Sequence, residues 1–232
     1  MKNFRATRGP FRERPYYSTQ EVERICEDAL RGVDLYPLSP QPIRIDRFIE
    51  KHFKVVPTYE DLGNGLLGLT RFGSKGVQAV IVARALDEEG GVTADRRIRT
   101  TLAHEAGHGL LHAHLFVLGR DEKTLFGDFT DPNTPKVLCR DEADPSGKNT
   151  RAYSWWEYQA NLGIGALLLP RSLVQAALDP ILTESGILQI KTLDASSHET
   201  AAKLLADTFD INPVVARIRL KELYPHSTQL HL

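Results

Sequence analysis

The chain has 232 residues, 41% of them hydrophobic and 25% charged, with a formal net charge of −1. This is the composition of a globular chain with room for one large domain, or a domain and a small appendage. So even a charge balance excludes a globally basic surface for nucleic acid, and no apolar run approaches the ~18 residues that would span a bilayer. In chain order, residues 1–17 come first. Lys2, Arg5, Arg8, Arg12 and Arg14 face only Glu13 there, which reads as a basic flexible N-terminal arm. The segment lacks the apolar core of a signal peptide, and the two cysteines, Cys26 and Cys139, make no disulfide framework. A reducing, cytoplasmic location is expected.

Ser18 with Glu21 three residues later predicts a capping box, opening a helix that turns Val22, Ile25, Cys26, Ala29 and Leu30 to one side. Cys26 is then a small buried hydrophobe. Prolines break the chain at 36–42, and a second helix is expected over residues 44–52, with Ile45, Phe48 and Ile49 inward. Three extended segments follow at 53–59, 65–70 and 77–83, separated by glycine-bearing turns, which predicts a small three-stranded antiparallel sheet. Residues 86–95 read as a polar loop. A helix begins near Asp95 and runs at least to His112. Residues 116–152 form a long polar insert, of the kind that serves as a lid or binding loop. A helix from Tyr153 ends at Pro170, and the remaining residues read as short helices.

The chemistry concentrates in "TTLAHEAGHGLLHAH" (100–114). Residues four apart on a helix lie about 6 Å and 40° from each other, so His104 and His108 can aim ring nitrogens at one cation. Glu105 is rotated by about 100°, beside such an ion rather than on it, where a general base belongs. HExxH arises by chance in on the order of one chain in a hundred of this length. The apolar and small neighbours Leu102, Ala103, Ala106, Gly107, Leu110 and Leu111 point to a buried helix, whose histidines need partners. His114 has the spacing of a third ligand. With Leu111 where a helix-breaking glycine would be needed, the helix continues and carries it away. His112 lies one further turn along and is expected to make an outer, supporting contact.

The third ligand is expected downstream, in "WWEYQAN" (155–161). Glu157 is an acid in an otherwise apolar helix, and a buried carboxylate needs a partner. A metal ion is one; an ion pair at a partly exposed position is the alternative. Asn161, one turn on, can orient the carboxylate. Tyr153 and Tyr158 are both candidates to stabilise an oxyanion. Ligands of this type favour Zn2+.

The segments "RTTLAHEAGHGLLH", "EYQANLGIGALLLP", "LADTFDINPVVARIRLKEL" and "DLGNGLLGLT" together resemble the ImmA/IrrE family of metallo-endopeptidases, over about residues 18–222. The resemblance implies a zincin-like fold, mainly helical with a small sheet beside the HExxH helix. It implies His104, His108 and Glu157 as zinc ligands and Glu105 as catalytic base. It also implies a protein substrate, a helix-turn-helix repressor or an antitoxin. The interval between His108 and Glu157 is long for the family, which sets the insert near the cleft. The expected organisation is the arm at 1–17, a zincin-like metallopeptidase domain at 18–170 with the insert at 116–152, and a C-terminal helical segment at 171–232. In that last segment two helices flank "FDINP", as in a helix-turn-helix, with Arg217, Arg219 and Lys221 on the second. A helical cap on the protease body is the preferred reading over a DNA contact. The fold class is therefore α+β, and the expected function is intracellular zinc-dependent peptide hydrolysis. The rivals are a non-catalytic, metal-stabilised regulator and the toxin of a toxin–antitoxin-like pair.

Overall fold

A computed structural model describes residues 2–5, 13–63, 65–118, 136–141, 155–185 and 190–225. Within residues 1–17, the described β1 (Lys2–Arg5) and β2 (Glu13–Tyr16) pair antiparallel, and Pro15 and Tyr17 are buried. Helix α1 (Thr19–Gly32) opens on the predicted capping box. The Ser18 hydroxyl accepts from the Glu21 amide, and the Glu21 carboxylate accepts from the Ser18 amide. Its inner stripe is Val22, Cys26 and Leu30, and burial pushes the Cys26 thiol up to about 12, so it stays a protonated hydrophobe. Helix α2 (Ile45–Phe53) buries Ile45, Phe48 and Ile49 as its spacing requires.

The sheet departs from expectation in two ways. The three predicted strands form, as β3 (Thr58–Glu60), β4 (Leu66–Gly73) and β5 (Gly76–Ala83), and β4 and β5 make an antiparallel hairpin. β3, however, lies parallel to β5, so the sheet is mixed. The chain between β3 and β5 contains the whole of β4, which gives it the length to return to the same end. In place of the expected polar loop, the short helix α3 (Arg84–Glu89) buries Leu86, and the 28-residue helix α4 (Gly91–Leu118) starts after Gly90. A fourth strand, β6 (Lys136–Asp141), comes from the polar insert and pairs antiparallel with β4, giving the order β3-β5-β4-β6. Its backbone bonds do not depend on side-chain polarity, which is why a polar stretch concealed it. Cys139 falls on this strand, opposite Leu69.

Helix α5 (Trp155–Leu168) crosses α4 at backbone contact. A Cβ added at Gly107 would lie 2.9 Å from the Ala160 carbonyl oxygen, and one at Gly163 would lie 3.1 Å from the Gly107 Cα. Neither helix could approach so closely with side chains at those points. The C-terminal part holds α6 (Arg171–Leu178), a small antiparallel hairpin of β7 (Thr183–Ser185) and β8 (Ile190–Thr192), α7 (His198–Phe209) and α8 (Pro213–Leu223). The hairpin was not legible as strands among the expected short helices. Phe209, Ile211, Val215 and Leu220 join Val22, Leu30, Phe48 and Leu167 in one apolar core. The molecule is thus α+β. No single described helix is long and apolar enough to cross a membrane.

Candidate metal centre

Helix α4 lies between the sheet and α5, and each side of it positions different groups. On the α5 side, His104 and His108 stand one turn apart and are essentially inaccessible to solvent. Glu157 comes from the first turn of α5. The two Nε2 atoms are 3.0 Å apart, one Glu157 oxygen is 3.1 Å from His104 Nε2, and the other is 3.5 Å from His108 Nε2. A tetrahedral ion with bonds of about 2.0–2.1 Å sets its ligand atoms about 3.3 Å apart. The three side chains therefore have the spacing of three corners of such a shell, and this buried group could hold a metal ion.

The donor pattern agrees. His104 Nδ1 lies 3.1 Å from Asn161 Oδ1, an atom that only accepts, so the ring proton sits on Nδ1 and the Nε2 lone pair faces the carboxylate. Lone pairs and a carboxylate converging out of water form a group that could hold a cation. Burial alone would push the Glu157 carboxyl up. The adjoining His104 and His108 rings outweigh it and hold the group down, to about 2, so the side chain offers a carboxylate. Asn161 thus orients His104 rather than Glu157, the partner expected from its position one turn on.

A second chain of bonds leads away from His108. Its Nδ1 is 3.1 Å from His112 Nδ1, His112 Nε2 is 3.0 Å from Gln159 Oε1, and Gln159 Nε2 donates to the Pro15 carbonyl at 2.8 Å. Burial, and then the neighbouring His108, hold His112 well below the usual histidine range, so it is neutral. One assignment satisfies every atom: His108 donates from Nδ1, His112 accepts at Nδ1 and donates from Nε2, and Gln159 accepts and donates in turn. This leaves His108 Nε2 with its lone pair toward Glu157 and His104. His112 thus bridges His108 and Gln159. Gln159 was not singled out in the sequence; an amide in an apolar helix was the available signal.

On the sheet side stands Glu105, fully buried. The Thr70 hydroxyl on β4 donates to Glu105 Oε2 at 2.7 Å. Gly68 sits two residues before Thr70 on the same strand face, where a Cβ would lie 3.0 Å from Glu105 Oε1 and 2.5 Å from Thr101 Cγ2. Neither residue stood out as functional in the sequence, although their period-two spacing puts both on the face toward α4. Tyr158 is half-exposed on α5, on the wall of a cleft that also includes Asn161. Tyr153 lies outside the described residues.

No family model matches this chain, and no curated protein matches it. Of the basic residues of α8, Arg217 and Lys221 are exposed and Arg219 is not. Arg219 is buried, bonded to the Leu169 carbonyl and paired with Glu23 and Glu222, and Arg217 pairs with Glu199. His114 rides on α4 outside the ligand group and is half-buried.

Proposed function

We propose that this protein is a zinc-dependent endopeptidase of the ImmA/IrrE kind, with a zincin-like fold, that hydrolyses a peptide bond in a regulatory protein inside the cell. The observation that carries the reading is the joint placement of three ligand atoms at tetrahedral spacing and of a buried carboxylate, one residue along the same helix, anchored by a strand hydroxyl. A mixed sheet lying against the HExxH helix supports the fold assignment.

His104, His108 and Glu157 would hold the ion, and a bound zinc supplies Lewis acidity toward a carbonyl and toward water. Asn161 fixes the ring of His104, and the His112–Gln159 pair fixes the ring of His108, so both lone pairs are aimed before any ligand arrives. Glu105 serves as the base. Thr70 holds its Oε2 and so sets the plane of the carboxylate, and Oε1 takes the proton from the attacking water. The same oxygen returns that proton to the leaving amine nitrogen as the C–N bond breaks. Burial of Glu105 keeps bulk water from competing for it. A helix-turn-helix repressor or an antitoxin is the proposed substrate class, on the family resemblance.

A non-catalytic metal site has no use for a buried base one residue from its first ligand. Glu105→Gln separates the two readings, because the amide keeps the Thr70 contact and the shape but accepts no proton. The variant should bind zinc as the parent does and lose cleavage of peptide substrates by a factor of about 10²–10⁴. Undiminished cleavage in Glu105→Gln would overturn the proposal.

A further inference from the structure

His104, Glu105 and His108 are sealed from solvent, and of the four site residues only Glu157 is partly exposed. A peptide bond reaches such a site only after an element moves aside. The strand that grips the base is β4: its Thr70 hydroxyl holds Glu105 Oε2, and its Gly68 faces Oε1. β4 is bonded along one edge to β5 and along the other to β6, which the 116–152 insert supplies. In that second ladder Thr70 lies opposite Leu138, and Gly68 opposite Arg140. Paired strands run about 4.8 Å apart, so the β6 backbone passes one strand spacing from the strand that holds the base. β6 also packs against α4.

The two neighbours of β4 are held differently. Val80 and Val82 tie β5 into the apolar core. β6 is six residues long and ends the sheet, and its outer edge pairs with no described strand. Its ladder also slips register between Leu66 and Gly68. A strand that leaves this edge exposes N–H and C=O groups of β4 that an extended peptide can take up instead. We infer that β6 occupies the place where an extended segment of the peptide substrate pairs with β4, so that the insert holds the site closed and substrate enters by strand exchange. The inference rests on the peptidase reading above and adds how that site is regulated and how it grips its substrate. Exchange is uphill for a free peptide, because a tethered strand competes as if present at about millimolar concentration. Basal cleavage is accordingly slow, and release of β6 raises it.

The test compares the zinc-loaded parent with Val137→Pro/Leu138→Pro and with a chain whose residues 119–152 are replaced by a glycine–serine linker of about twelve residues. Proline donates no backbone hydrogen bond, and of two successive strand residues one donates toward β4, so the double variant loses a ladder bond in either phase. Neither change alters a residue of α4, α5 or the ligand set. Cleavage of a mixture of synthetic dodecapeptides of randomised sequence should rise at least about tenfold in both variants, through a lower KM. The synthetic peptide of residues 134–143 should inhibit the linker variant competitively, and the parent at least about tenfold more weakly. Hydrogen exchange on the parent reads the same point without a variant: the slowest amides of 136–141 should exchange at least about a hundredfold faster than those of β5. Cleavage no faster in a folded variant, no inhibition by the peptide, or protection of β6 equal to that of β5 overturns this inference alone. No cleavage by any of the three proteins overturns the peptidase reading and this inference with it.

Discussion

The two sides of α4 are held by different means. Toward α5, the backbones touch at Gly107 and Gly163, and the metal-ligand set straddles the contact. Toward the sheet, the contact is a strand face that carries a glycine and a hydroxyl opposite Glu105. The first arrangement sets where an ion could bind; the second sets the direction of the Glu105 carboxylate. Damage on the α5 side should therefore cost metal, and damage on the sheet side should cost rate with the metal retained.

The largest effect should come from wedging the helices apart. Gly107→Leu would drive a side chain into the Ala160 backbone, which cannot move aside as a flexible side chain could. Overpacking of this kind costs about 1–3 kcal/mol or more. Thermal unfolding should show the loss, and metal analysis should show an empty protein. Glu157→Ala removes one corner of the ligand set and leaves the helix contact intact. It should fold, with zinc content after dialysis falling to background. Intermediate in effect is Gln159→Leu, which cuts the chain of bonds between His108 and the Pro15 carbonyl. Zinc affinity, measured by chelator competition, should fall roughly 10–100-fold. An unchanged affinity would show that His112 alone holds His108. The smallest effect belongs to the sheet side. Thr70→Val keeps the volume but removes the hydroxyl from Glu105, so kcat should fall about tenfold at unchanged zinc content. Loss of zinc in that variant would break the division between the two sides.

The parts of this site that could be read in the sequence are those encoded over one helical turn. His104 to His108 is such a pair, and the helix makes their proximity a matter of spacing alone. Glu157 was legible because a carboxylate in an apolar segment needs a reason. The rest depends on chain segments that meet only after folding. Thr70 reaches Glu105 across 35 positions, and Gln159 reaches Pro15 across 144. Arg219 shows the same limit in reverse. Its spacing put it with Arg217 and Lys221 as a basic stripe, yet Glu23 from α1 draws it into the interior. The sheet was legible in three of its four strands. β6 escaped because its short apolar run at 137–139 lies inside a long polar insert and carries no alternating pattern, and the parallel pairing of β3 escaped because local sequence does not encode strand direction.

The central claim, one divalent ion shared by α4 and α5, is tested most directly by X-ray absorption at the zinc edge on the zinc-loaded full chain, set beside Glu157→Ala. Two imidazole nitrogens and one or more oxygens at about 2.0–2.1 Å in the parent, with that shell lost in the variant, is the predicted result. A sulfur-rich shell, or a spectrum identical in the two proteins, would contradict the account.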